Sequence, residues 1–217
     1  MGLFEQSGSE ASVEYKMTEY QTRILNIQPR LEKYVEEKGK KVKMVGKTLH
    51  DTIYTCIING LVDKAELLRQ KFDVSDKRYW TISVKAMAQM KMWEPMFELA
   101  MSAQNPENTG FLSYFRSSTN DGPYSPIGFE PFVDACLNSD EQKTVKEAEA
   151  LKYIPFVKDP AMKVDYYVRL LKFKEAIEVA AEIGDADLLE VIRAKTKNTK
   201  TRETIDNLIQ QIRGGKQ

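Results

Sequence analysis

Apolar residues recur along this chain at intervals of three and four, the period of an amphipathic helix, with almost no strict alternation. In "VEYKMTEYQTRILNIQPRLEKYVEEK" the stripe is Tyr20, Ile24, Ile27, Leu31 and Tyr34, with Pro29 predicted to kink or break the helix. A basic, glycine-flanked stretch, "GKKVKMVGK", follows and reads as a solvated linker. Short helices then come in a regular beat. Leu49 to Asn59 is predicted to start at the cap Thr48 and to stop at Gly60. "LVDKAELLRQKF" repeats Leu61, Ala65, Leu68 and Phe72, and "SDKRYWTISVKAMAQM" carries Trp80, Val84 and Met87 behind a cap at Ser75 or Asp76. "MWEPMFELAMS" holds Pro95 in its first turn, and "KTVKEAEALKYI" is predicted to stop at Pro155. "MKVDYYVRLL", "FKEAIEVAAEI", "ADLLEVIRAK" and "TRETIDNLIQQI" complete the series, with Gly184 as a stop and Asp185 as the next cap.

No segment reads as a strand pair, and Asn59-Gly60 joins two helical patterns rather than a hairpin of strands. Three stretches, "DKAELLRQKF", "KEAEALKYI" and "KEAIEVAAEI", each set a charged pair before an alanine and a short apolar stripe, at Ala65, Ala148 and Ala176. The last two alanines lie 28 residues apart, close to one helical hairpin. Helix pairs that cannot bury a face alone stack on their neighbours, so the pattern predicts an all-α fold, an α-solenoid of short antiparallel hairpins. A compact bundle would use fewer and longer helices. The expected organisation is a polar leader over 1–12, disordered or an appended remnant, one solenoid domain over 13–213, and a tail over 214–217. Residues 103–125, "AQNPENTGFLSYFRSSTNDGPYS", interrupt the beat with a polar insertion too long for an ordinary connection. After it, "SPIGFEPFVDAC" has the residues of a helix start: Ser125 as a cap, Pro126 and Pro131 at or before the first turn, and Gly128 where the chain bends.

Composition narrows the chemistry. Of 217 residues 42% are hydrophobic, enough for a sizeable core, and the 32 basic and 32 acidic residues leave no net charge. Nucleic acid, which needs a basic excess, is therefore not an expected partner. Cys56 and Cys136 are two and far apart, as expected of buried thiols. His50 is the only histidine and falls in a predicted first turn, which removes two-histidine metal and acid–base schemes. No phosphate-binding, nucleophile-elbow or CxxC motif occurs, so neither enzyme activity nor a cofactor is expected.

Three stretches taken together are more specific: "GKTLHDTIYTCIINGLVDKAELLRQKFDVSDKRYW", "SPIGFEPFVDAC" and "EALKYIPFVKDPAMKVDYYVRL". In that order they resemble the C-terminal region of the vacuolar protein sorting-associated protein 16 family, over about residues 25 to 213. The resemblance implies a subunit of the HOPS and CORVET tethering complexes of the endosome–lysosome or vacuole system. Its helical solenoid would dock vacuolar protein sorting 33, the Sec/Munc-type SNARE regulator, in support of membrane fusion. The implied place is cytoplasmic and peripheral to the membrane, beside the other subunits of those complexes. Matching positions make Lys77, Arg78, Tyr79, Ser125, Pro126, Phe129, Lys152 and Tyr153 expected partner-binding residues, and Phe156 beside them is expected to supply an apolar contact. Two departures from the family pattern stand out: about twenty residues inserted ahead of "SPIG", and an apolar Phe156 where the family tends to be basic. The other readings are the spermatogenesis-defective 39 paralogue, which pairs with the second form of that regulator, and a helical coat or lipid-surface module using "KGKKVK" (38–43). On chemistry alone, Arg78 suits a desolvated interface because its planar fork donates two hydrogen bonds, whereas an ordinary first-turn cation would simply be solvated. Trp80 and Phe132 read as core, and Tyr153 fits either role.

Overall fold

The structure, a computed structural model, describes residues 4–101 and 125–214; most of the insertion, 103–124, lies outside the described residues. The described elements are helical, in the hairpin order of an α-solenoid, and the chain forms two compact units, Met1–Ala86 and Met87–Gln217.

The first unit opens with α1 (Phe4–Glu37). The helix includes residues 4–12 of the polar N-terminal stretch. Glu5, Gln6, Glu10 and Ala11 are good helix formers, and no proline interrupts them. It also runs straight through Pro29, which lies on the exposed face, where water can replace the hydrogen bond the ring removes. Next come α2 (Leu49–Ile58) and α3 (Val62–Lys71), packed as a hairpin. Thr48 caps α2 as expected: its hydroxyl accepts from the Asp51 amide at 3.1 Å and donates to the Asp51 carboxylate at 2.8 Å. Gly60 (φ +77°) closes the turn in the left-handed region, and its amide donates to the Ile57 carbonyl. Ile53, Cys56, Ile57, Leu61, Ala65 and Leu68 are buried between the helices. Each large aliphatic side chain among them contributes about 2 kcal/mol of burial.

The stretch between α1 and α2 is not a free linker. Gln28, fully buried, accepts from the Gly46 amide at 2.9 Å and donates to the Lys47 carbonyl at 2.7 Å and the Thr52 hydroxyl at 2.8 Å. One turn on, the Glu32 carboxylate accepts from the amides of Met44 and Val45. Those two amides, Val45 first, hold the Glu32 carboxyl below its ordinary value, against a smaller effect of burial. Two side chains on one face of α1 thus clamp the loop's backbone.

In the second unit α5 (Trp93–Met101) is followed by α6 (Glu130–Leu137), α7 (Lys143–Leu151), a 3₁₀ turn (Ile154–Phe156), α8 (Pro160–Arg169), α9 (Phe173–Glu182), α10 (Ala186–Lys195) and α11 (Thr199–Gly214). α6 pairs with α7, α8 with α9 and α10 with α11, while α10 also packs on α9 and α8. Asp185 caps α10 by accepting from the amides of Asp187 and Leu188, and Gly184 (φ +66°) ends α9, as the sequence predicted. Asp159 caps α8 in the same manner. Pro155 does not simply stop α7, since it sits inside the 3₁₀ turn that links α7 to α8. Ala65 and Ala176 are both fully buried at helix contacts, whereas Ala148 is exposed and Ala150 takes the buried place in α7. The repeat is real, but its register in α7 is offset by two residues.

Candidate functional site

The resemblance-bearing residues fall in two places, one in each unit. In the first, α4 (Asp76–Gln89) begins behind a short turn from α3. Arg69 near the end of α3 ties that turn together. It pairs with Glu66 on its own helix at 3.2 Å and with Asp76 at the start of α4, and its guanidinium lies over the Tyr79 ring at 5.0 Å. Burial lowers the Arg69 pKa, but Glu66 and Asp76 outweigh it and the net shift is upward, so the guanidinium stays charged. With Asp76 and Tyr79 fixed from one side, Lys77 and Arg78 point outward, and neither enters an ion pair among the described residues. Half-buried His50 lies close enough to feel Arg78 and Lys85. Burial first, then those two cations, lower its pKa against an opposing pull from Asp51. Lys85 rests over the Tyr54 ring at 5.6 Å. Arg78 and Lys85 thus form a positive edge beside α2.

In the second unit "SPIGFEPF" meets "KYIPF" through a run of rings. Phe129 stacks with Phe132 (5.9 Å between centroids) and with Phe156 (5.2 Å), Phe132 with Tyr153 (5.2 Å), and Tyr153 with Phe97 of α5 (6.0 Å). Gly128 (φ +75°) permits the bend, and a side chain there would strike the Glu130 carboxylate. Lys152 at the rim pairs with Glu149 at 2.8 Å and lies over Phe97 at 5.7 Å. The Tyr153 hydroxyl is buried without a hydrogen-bond partner among the described residues, and burial drives its pKa well up. Deeper in the unit, the Tyr166 hydroxyl donates to Asp134 at 3.0 Å, joining α8 to α6.

Several expectations need correction. Tyr79 and Tyr153 are 0% exposed and Phe129 is 5% exposed, so these three support a surface but do not present one. Aromatics at helical spacing pack inward, and their motif positions reflect the corners they build. Ser125 is not the cap of α6, because Phe129 occupies that position. The Ser125 hydroxyl instead accepts from the Ile127 amide at 3.2 Å in the turn ahead of the helix. At the surface remain Lys77, Arg78 and Lys152, with Ser125, Pro126 and Phe156 half-buried. Arg69, His50 and Lys85 were not singled out for this face. Arg69 in "LLRQKF" carries no motif of its own, and its role depends on a partner seven residues away in the next helix.

Cys56 and Cys136 are free and buried, and burial, the largest cause in each case, pushes both thiols up to about 12, so neither is a thiolate at neutral pH. Among the described residues no three metal-ligating side chains gather, and no helix is long and apolar enough to cross a membrane.

Hairpin-paired short helices, with their aromatics turned inward and cations left at helix starts, define a helical-repeat protein of the α-solenoid class. Within that class the chain belongs to the family "Vps16, C-terminal region", whose model it matches over residues 3–213. It is 33% identical over 183 residues to the vacuolar protein sorting-associated protein 16 homolog of Dictyostelium discoideum, covering 84% of this chain and 19% of that protein. It is 33% identical over 192 residues to Protein VACUOLELESS1 of Arabidopsis thaliana, covering 88% of this chain and 19% of the relative. The Drosophila melanogaster vacuolar protein sorting-associated protein 16 homolog is 32% identical over 148 residues, 68% of this chain and 15% of its own length. The chain therefore spans about a fifth of the curated relatives it matches.

Proposed function

We propose that this chain is the partner-docking portion of a HOPS/CORVET tethering subunit at the endosome–lysosome or vacuole membrane. Its solenoid would grip vacuolar protein sorting 33 and so support SNARE-mediated fusion. Family membership supports the subunit role, and the names of the relatives point to vacuolar sorting. The observation that carries the docking role is the start of α4. Lys77 and Arg78 stand exposed, without ion pairs among the described residues, on a turn that Arg69 holds from behind through Asp76 and Tyr79. The backbone that carries these cations is held before binding, and Arg is favoured at the buried centres of interfaces. Lys152 and Phe156, at the aromatic corner of the second unit, are the further contact residues of this reading. Membrane association would then be peripheral and come through the assembled complex.

Co-expression with vacuolar protein sorting 33, followed by size exclusion, tests the proposal. A stoichiometric complex is expected, and two separate peaks would refute it. The lipid-surface alternative needs no protein partner, so binding to anionic vesicles alone does not substitute for that complex.

A further inference from the structure

The basic loop after α1 is not used by the docking surface, and its construction points to a separate role. Lys38, Lys40, Lys41 and Lys43 are all exposed, and no acidic residue occurs between Lys38 and Lys47. None of the four enters an ion pair among the described residues; the nearby Glu32 spends Oε1 on the amides of Met44 and Val45. Gln28 and Glu32 fix the loop's far half, while Gly39 (φ +77°) and Gly46 (φ +87°) turn the backbone at either end. Two other elements bring further contacts to the same edge. Lys38 and Lys64 of α3 lie over one Tyr34 ring at 4.7 and 5.0 Å, and Lys40 donates to the Asn59 carbonyl at the α2–α3 turn. Glu36 lines the shallow groove beside Lys41 and Lys43, and Asp63 pairs with Lys64, yet cations remain in excess. Val45 is exposed and Val42 half-buried on the same loop.

A run of exposed lysines without ion pairs among the described residues, beside the exposed Val45, suits a surface that is negatively charged and apolar just beneath. We propose that residues 38–45 form a direct contact site for an anionic lipid surface. Multiple lysines in fixed positions would read the headgroup charge, and Val45 would enter the interface. The site belongs to the first unit alone and does not rest on the docking of vacuolar protein sorting 33, so either reading can fail without the other. Each lysine held at such a surface strengthens binding by roughly fivefold at low salt.

Flotation of the full chain with phosphatidylcholine vesicles, with and without about a third phosphatidylserine, tests this at roughly 0.1 M and 0.5 M salt. Binding to the anionic vesicles only, weakened at the higher salt, is expected. The quadruple variant Lys38→Gln, Lys40→Gln, Lys41→Gln, Lys43→Gln should lose at least roughly thirtyfold in binding. The equal-charge control Lys143→Gln, Lys146→Gln, Lys172→Gln, Lys174→Gln should lose less than roughly threefold. Val45→Asp should weaken binding with every lysine retained. If the quadruple variant loses helical circular dichroism, the single changes Lys41→Gln and Lys43→Gln carry the comparison. Absence of binding to anionic vesicles, equal loss in both quadruple variants, or capture of a soluble polyanion without vesicle binding would each overturn the proposal.

Discussion

Replacing Arg69 with Met keeps most of the buried stem and removes only the charged fork, so it isolates what holds the start of α4. Three contacts are lost. The pair with Glu66 joins side chains that are 22% and 14% exposed and is worth about 1 kcal/mol. The pair with Asp76, whose side chain is 73% exposed, adds at most about 0.5 kcal/mol after solvent screening. The stack on Tyr79 adds about 0.5–1 kcal/mol. Arg69→Met should therefore cost about 2 kcal/mol, or a fall of roughly 1 M in the urea midpoint at an ordinary slope for this size. A double-mutant cycle with Tyr79→Leu should return a coupling of about 0.5–1 kcal/mol, and roughly 1 M salt should erase the Asp76 share while leaving the Tyr79 share. Urea titrations followed by far-ultraviolet circular dichroism measure all of these. A loss below about 0.5 kcal/mol, or no coupling to Tyr79, would show that Arg69 does not organise the turn.

Three further outcomes follow from polar groups inside and at the edge of the two cores. Gln28→Leu should destabilise the chain by about 2–4 kcal/mol, since it removes three hydrogen bonds, those to the Gly46 amide, the Lys47 carbonyl and the Thr52 hydroxyl, of which Thr52 alone keeps another bond, to the Thr48 carbonyl; a change under about 1 kcal/mol in thermal or urea unfolding would refute the clamp. Tyr153→Phe removes a buried hydroxyl that lacks a partner among the described residues and should leave stability unchanged or raise it by up to about 1 kcal/mol, whereas a loss of that size would mean the hydroxyl is bonded. Glu32, with its carboxyl held below the ordinary 4.5, stabilises the fold fully above that value, and the contribution disappears as pH falls through its lower folded value; Glu32→Gln should flatten the acid limb of a stability–pH curve, and an unaltered limb would contradict the assignment.

Local signals were legible in the sequence. Thr48, Gly60, Gly184 and Asp185 each act within a few residues, and each does in the structure what its type and spacing suggest. What the sequence concealed is nonlocal. Gln28 is one polar residue on an amphipathic helix until the chain returns 18 residues later to present the Gly46 amide. Pro29 interrupts the helical pattern on paper, but on an exposed face it need not interrupt the helix. For Tyr79, Phe129 and Tyr153 the motif was visible and the direction was not: they are distinctive because they build corners from inside, while their neighbours Lys77, Arg78 and Lys152 are exposed and Ser125, Pro126 and Phe156 half-buried. Ala148 shows the same limit, since composition located the repeat and packing set its register.

The docking claim is tested most directly by titrating purified vacuolar protein sorting 33 with the wild-type chain and with Arg78→Glu. Circular dichroism of both chains would establish that the helices are intact. Placing a carboxylate where an exposed guanidinium meets the partner should weaken the affinity by at least roughly thirtyfold, an expected cost of about 2 kcal/mol or more. Equal affinity of the two chains would contradict the placement of the interface at the start of α4.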